Sequence, residues 1–225
     1  MTNRGLTGLG GACAILSGAL LPLTAIAYLL MPPAQQSWAD PAAYLLSFAQ
    51  APTFAMIEYT ANVLIAVLSL GVVVSIPHVL RPVHEGWLRW ATTVAIVGNS
   101  VNAIQYIREL SLIPAMADRF LLADSTTRAA TAASLYLVPL DIYGWLTYGA
   151  IGAWLLAVNI LALPGSRWPR TLSWIGIAGG IDYWLVVAGP VLRLEALSLI
   201  ASIAGVVLGP IWFVWMGLFL RRSSR

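Results

Sequence analysis

The sequence has 225 residues, of which 60% are hydrophobic and only 9% are charged. Soluble globular domains are about 25% charged, so the composition excludes an ordinary soluble protein and indicates a polytopic protein of the lipid bilayer. The net charge of +3 comes from arginines that stand singly or in pairs between apolar runs, and this pattern argues against nucleic-acid binding.

No motif for a cofactor or a metal is present. Cys13 is the single cysteine, so an intrachain disulfide or a CxxC site is excluded. The sequence contains no Gly-rich phosphate loop after a strand, no GxSxG and no HExxH. His78 and His84 match no metal-ligand spacing. We therefore predict no cofactor and no metal.

Six apolar runs are long enough to cross the hydrocarbon core, which needs about 20 helical residues. The first run exceeds a signal-peptide h-region of about 7 to 15 residues, so we interpret it as an uncleaved helix. We expect a short interfacial helix over 42–49 and an external loop with some helix over 113–131. The predicted fold is a single all-α domain, a transmembrane bundle of six helices at about 6–31, 53–76, 87–110, 135–163, 171–189 and 197–220.

The arginines predict the orientation. Four of them, Arg108, Arg119, Arg128 and Arg193, lie on one side of the predicted bundle. The other eight lie near the termini and in the loops after helices two and four: Arg4, Arg81, Arg89, Arg167, Arg170, Arg221, Arg222 and Arg225. Since cytoplasmic segments carry the excess of basic residues, both termini are predicted to be cytoplasmic.

Polar side chains of the predicted helices concentrate toward the non-cytoplasmic side. Helix three carries a stripe on one helical face, namely Thr92, Ala95, Asn99, Asn102, Tyr106 and Glu109. Such a polar face must contact protein or water, because polar side chains are costly against lipid. We predict an outward-facing polar cavity with Asp182 near its floor and Arg108 and Arg193 as counter-charges at its mouth. Its candidate ligand-binding residues are Glu58, Asn62, Asn99, Asn102, Gln105, Tyr106, Asp141, Tyr143, Asp182 and Tyr183.

Structural interpretations compete with this one. Buried acids hydrogen-bonded to Asn, Tyr or Trp also join helices to one another, and Glu58 and Asp141 lie near enough to the surface to reach water. Tyr143, Tyr183 and the neighbouring tryptophans are equally typical of the aromatic belt at a membrane interface. Because Asp182 is the deepest acid, the functional interpretation depends mainly on it.

Several segments resemble a bacterial six-helix membrane family, domain of unknown function 4386. They are the LRPV break after helix two, Asp141 followed by Tyr143 and Gly144, the WPRTL start of helix five with Asp182 inside it, and the closing GPIWFVWMGLFLRR. The resemblance covers nearly the whole chain. It implies a six-helix bundle in a bacterial inner (plasma) membrane, and it supplies no activity.

Three classes of function remain open at this point. The first is binding or transport of a small lipophilic or cationic molecule in the outward cavity. The second is a non-catalytic helper that packs against partner helices through the small-residue face with Gly205 and Gly209. The third is an intramembrane enzyme acting on a lipid or isoprenoid, with Asp141, Asp182 or Glu58 as general acid.

Overall fold

The computed structural model describes residues 3–80, 84–165 and 167–223, and this part of the chain contains helices and no strand. Arg81 and Arg225, as well as the LRPV motif beyond Leu80, lie outside the described residues. The α-helices are α1 (Asn3–Leu30), α2 (Pro41–Gln50), α3 (Thr53–Leu80), α4 (Glu85–Leu122), α5 (Ser125–Ser134), α6 (Ala150–Ala162), α7 (Arg170–Leu192) and α8 (Glu195–Ser223). A π-helical turn, Trp145–Gly149, leads directly into α6.

Within the described residues, five helical segments are long and apolar enough to cross a membrane, so the chain is a membrane protein. They are Gly5–Leu30, Thr53–Leu80, Trp145–Ala162, Arg170–Leu192 and Ile200–Ser223. The 38 residues of α4 extend for about 57 Å at ~1.5 Å per residue, which is more than a bilayer requires. Although α4 is long enough, it is not one of these five apolar segments, because it is the most polar of the long helices.

The six long helices form a closed ring. Going round it, α1 packs on α3, α3 on α4, α4 on α6, α6 on α7, α7 on α8, and α8 returns to α1. A Cβ on Gly11 of α1 would lie 2.6 Å from Arg221 Cγ of α8, so the two ends of the chain meet at the same end of the bundle. We call this the basal end and the opposite one, which carries α2 and α5, the capped end.

Two separate apolar cores stabilise the ring. The basal core joins α1, α3, α4, α6, α7 and α8 around side chains such as Trp154, Trp212 and Met216. The capped core lies beneath α2, where Tyr44, Leu45 and Phe48 are 0–2% exposed and pack with residues of α3, α4 and the segment after α5. The amphipathic helix expected over 42–49 is thus present and covers part of the ring.

The predicted bounds differ from the structure in two places. Helix three does not end near residue 110, because Ile113, Ala117 and Phe120 continue a buried helical face as far as Leu122. Helix four does not begin at 135, because the chain is irregular between Val138 and Gly144. Pro139 lacks an N–H, and Gly144 adopts a left-handed φ of 76° that favours glycine, so the regular part begins at Trp145.

Candidate functional site

Two glutamates lie on neighbouring helices, one half-buried and one buried. Glu58 of α3 is half-buried and accepts a hydrogen bond from the Asn62 amide one turn later, and Glu109 of α4 is only 4% exposed. Their helices, α3 and α4, pack directly on each other, and the two acids lie near one another.

Four tyrosines, Tyr44, Tyr59, Tyr106 and Tyr148, lie near this pair. Tyr44 and Tyr59 share a hydrogen bond, and Tyr106 and Tyr148 lie close to one another. The rings of Tyr59 and Tyr106 lie 6.2 Å apart and link the two couples. We call these six residues the tyrosine–glutamate cluster.

The members of the cluster differ in exposure. Tyr44, Tyr59 and Glu109 are 0–6% exposed, and both of these tyrosines belong to the capped core. Glu58, Tyr106 and Tyr148 are half-buried, so part of the cluster is accessible.

The amides of α4 lie along the same face of that helix as Glu109. The Gln105 side chain, one turn before Glu109, accepts from the Asp141 backbone N–H at 3.4 Å. Asn99 is 2% exposed and donates to the Ala95 carbonyl of its own helix at 2.8 Å. Asn102 Oδ1 is buried, and no described residue donates to it. One acceptor of this face is therefore left for another donor.

Asp141 stabilises the start of the π-helical turn through hydrogen bonds. Its carboxylate accepts the backbone N–H groups of Trp145, Leu146 and Thr147 at 2.6–3.0 Å, and the Thr147 hydroxyl at 3.2 Å. This is an N-cap, which satisfies the free N–H groups at the start of the π-helical turn. Tyr143 is 51% exposed beside it and does not join the cluster.

Asp182 lies away from the glutamates, in the crevice between α7 and α8. It is 6% exposed, and a Cβ on Gly205 would lie 2.9 Å from its Oδ2. Its neighbour Tyr183 stacks on Tyr148 at 6.1 Å. Asp182 as the floor of a polar cavity stays a prediction.

Gly205 and Gly209 contact residues of this same chain. Gly205 lies against Asp182 of α7, and a Cβ on Gly209 would lie 3.1 Å from Leu21 of α1. A partner helix at these glycines stays a prediction, and their neighbours here are α7 and α1.

Of the two arginines expected at the mouth, Arg108 binds backbone carbonyls with its side chain, whereas for Arg193 the contacts seen are those of its backbone. Arg108 donates from Nε to the Val138 carbonyl and from Nη2 to the Leu137 carbonyl, both at 3.2 Å. Arg193 ends α7 in a left-handed conformation, φ 57°, and its backbone N–H binds the carbonyls of Gly189 and Pro190. Within the described ranges no basic side chain interacts with Glu58 or Glu109. The acid pair is left without a counter-cation there.

Sequence reasoning missed part of this site. Glu109 belonged to the polar stripe of helix three but was not among the candidates, although its spacing of seven from Asn102 places both on one face. Tyr59 and Tyr148 gave no signal beyond their type, because a tyrosine in an apolar run is also an ordinary packing residue. Across 3–80, 84–165 and 167–223 no group of three or more His, Cys, Asp or Glu is placed to hold a metal.

Comparison with known proteins identifies the family. No protein with a curated description and no solved structure matches the chain. The sequence model of the family described as Domain of unknown function (DUF4386) matches residues 14–220, which include the whole cluster and all of the ring except the start of α1 and the last residues of α8. The chain therefore belongs to the DUF4386 family.

Proposed function

We propose that the protein binds a small organic cation at the tyrosine–glutamate cluster. The observation that carries the proposal is a buried glutamate, Glu109, and a half-buried one, Glu58, on two helices that pack on each other, with tyrosines nearby and no basic partner among the described residues. A cation is stabilised by carboxylates and by the negative faces of aromatic rings, most strongly where water is excluded.

Electrostatics favour a ligand of this charge. Two ionised carboxylates in a helix bundle with no counter-charge are costly, so a proton or an added cation must compensate them. An organic cation supplies the charge and also apolar surface for the rings of Tyr59, Tyr106 and Tyr148. The unpaired Oδ1 of Asn102 adds an acceptor for an N–H donor of such a ligand.

The remaining predictions about the membrane are part of this proposal. We infer that α4 crosses the bilayer with the five apolar helices, since it closes the ring between α3 and α6. The basal end carries Arg89, Arg167, Arg170, Arg221 and Arg222, which supports cytoplasmic termini in a bacterial inner membrane. The tyrosine–glutamate cluster then lies in the outer half of the bilayer.

Binding to a lipophilic probe cation tests the proposal. The purified protein in lipid nanodiscs is titrated with tetraphenylphosphonium and with the neutral triphenylphosphine oxide, using calorimetry. We expect the cation to bind at least tenfold more tightly than the neutral compound. Glu58→Gln and Glu109→Gln should each weaken cation binding tenfold or more, which corresponds to about 1.4 kcal/mol.

Glu85→Gln is the matched control. Glu85 is exposed at the basal end and pairs only with Arg89, at 2.7 Å, so its loss should leave the affinity unchanged. Near-ultraviolet circular dichroism checks that each variant keeps its tertiary packing. Equal affinity for the two probes, or variants at positions 58 and 109 that bind as the control does, would contradict the proposal.

A further inference from the structure

A ring contact at the basal end joins the start of α7 to the end of α8. Trp168 is 3% exposed, and its ring meets that of Phe219 edge to face with centroids 6.3 Å apart. Arg167 and Arg170 flank this tryptophan in the chain, and Arg222 follows Phe219 by three residues, which is about one helical turn. The contact therefore brings arginines of two segments to one corner of the bundle. We call Arg167, Arg170 and Arg222 the arginine corner.

No acidic side chain compensates the arginine corner among the described residues. The sequence contains no Asp or Glu between Asp141 and Asp182 and none after Glu195. At the basal end the acid nearest to a helix start is Glu85, and it pairs with Arg89 at 2.7 Å. The three arginines of the corner are exposed, and no described acid forms an ion pair with them. Their positive charge is thus available to a ligand.

Exposed apolar faces of α7 and α8 continue from the arginine corner. Trp174 stands four residues after Arg170, and Leu218 and Trp215 stand four and seven residues before Arg222. These spacings keep each set on one face of its helix. The three apolar side chains are 36–60% exposed, and the two helices pack on each other as membrane-crossing neighbours. A charged end followed by apolar faces within the membrane is complementary to an amphiphile.

We propose that the arginine corner binds the headgroup of an anionic phospholipid, whose acyl chains lie along the exposed faces of α7 and α8. A guanidinium group donates parallel hydrogen bonds to two phosphate oxygens, so arginines are well suited to this headgroup. Basic groups between membrane helices at the bilayer surface bind anionic headgroups in this way. A zwitterionic headgroup carries a positive charge as well, which the arginines repel. The proposal is independent of cation binding at the tyrosine–glutamate cluster.

Lipid binding to the delipidated protein tests the proposal. The protein in a neutral detergent is titrated with phosphatidylglycerol and separately with phosphatidylcholine of the same acyl chains, and bound lipid is counted by native mass spectrometry. We expect phosphatidylglycerol to bind at least about fivefold more tightly. Glycerol 3-phosphate supplies the phosphate group without acyl chains and should not displace the lipid at equal concentration. Displacement by it would overturn the lipid as the occupant.

Substitutions in the two segments identify the arginines. Arg167→Gln and Arg222→Gln should each weaken phosphatidylglycerol binding about fivefold, and their combination should weaken it at least about tenfold. Arg89→Gln is the matched control, because it removes one positive charge at the same end of the bundle from a side chain that already pairs with Glu85. The control should change the affinity less than about twofold. Circular dichroism checks that the variants keep their fold.

Fluorescence quenching locates the bound lipid. Brominated phosphatidylglycerol at low mole fraction in phosphatidylcholine nanodiscs should quench tryptophan fluorescence more than brominated phosphatidylcholine does. Replacing Trp174 and Trp215 by Phe should remove most of this excess, whereas replacing Trp87 and Trp90 by Phe should leave it. Equal affinity for the two lipids, equal losses in Arg89→Gln and the corner variants, or an excess that persists without Trp174 and Trp215 would overturn the proposal.

Discussion

The two halves of the ring are built by opposite means. In the basal half the helices touch through glycine: a Cβ on Gly217 would lie 2.7 Å from the Gly11 carbonyl oxygen, and one on Gly180 would lie 3.0 Å from that of Gly152. In the capped half, large side chains of the capped core and of the tyrosine–glutamate cluster stand between the helices. The difference teaches that close glycine contacts fix the helices at the base, while large side chains hold them apart in the other half.

The largest loss of stability is expected from disrupting the close contact between α1 and α8 at the basal end. Gly217→Ala places a methyl group against backbone atoms of Gly11 and Ile15, which cannot turn aside as a side chain can. Overpacking of this kind costs roughly 1–3 kcal/mol. The thermal unfolding midpoint of the detergent-solubilised protein should fall accordingly. Gly86→Ala, with nothing within 4 Å, is the control and should leave the midpoint unchanged or slightly higher.

The second prediction concerns a substitution that should destabilise the capped half and leave the basal half unchanged. Arg108→Gln removes two charged hydrogen bonds to the carbonyls of Leu137 and Val138. Hydrogen bonds to charged groups contribute about 1.5–3 kcal/mol, and partial exposure of this arginine favours the lower value. Amide exchange should become roughly tenfold faster in residues 135–149 and stay unchanged in α1 and α8.

Arg119→Gln serves as the control for this change, because Arg119 is exposed on the same helix. Equal acceleration in both variants, or loss of protection throughout the ring after Arg108→Gln, would show that the halves do not open separately.

The smallest effect concerns α5 at the capped end. Asp124 caps this helix by accepting the Thr127 backbone N–H at 2.8 Å, and this bond lowers the pKa of Asp124 below its usual value. A lowered folded-state pKa means that the cap stabilises α5 above the unfolded pKa and is lost as the pH falls through the folded one. Exchange protection in α5, corrected for intrinsic rates, should decline below about pH 4.

The Asp124→Asn variant isolates this titration. An asparagine cap does not ionise, so the loss of exchange protection in α5 at low pH should disappear in this variant. Asp118→Asn, a change at an exposed residue near the end of α4, should keep the wild-type decline. If the loss of exchange protection in α5 at low pH persists unchanged in Asp124→Asn, another titrating group must cause it.

Much of the fold was predictable because hydropathy and length alone mark a membrane helix. The predicted runs 6–31, 53–76, 171–189 and 197–220 correspond to α1, α3, α7 and α8. The failures occur where a tertiary contact decides the local structure. Ile113 and Phe120 keep α4 helical by packing under α2, and Asp141 starts the π-helical turn with a cap that only the folded loop brings into place.

The site was less predictable, since depth along a helix does not determine direction around it. Asp182 and Asn99 were expected at similar depth, yet Asp182 faces Gly205 on α8 while Asn99 lies buried on α4. The direction in which a helical side chain points is decided by which helices are its neighbours in the ring. This order of helices cannot be read from a single sequence. Glu58, Asn62 and Tyr106 were expected beside an internal polar space, and this part of the binding proposal remains to be tested.

The contact between α1 and α8 affects biosynthesis. Gly11 and Gly217 are separated by almost the whole described chain, so this edge of the ring forms only after the last helix has been made. At a synthesis rate of about 5–20 residues per second, the first helix waits roughly 10 to 40 s in the bilayer with one flank uncovered. During that interval lipid or an insertion chaperone must shield the flank, which makes the nascent chain most vulnerable to degradation before its final helix is inserted.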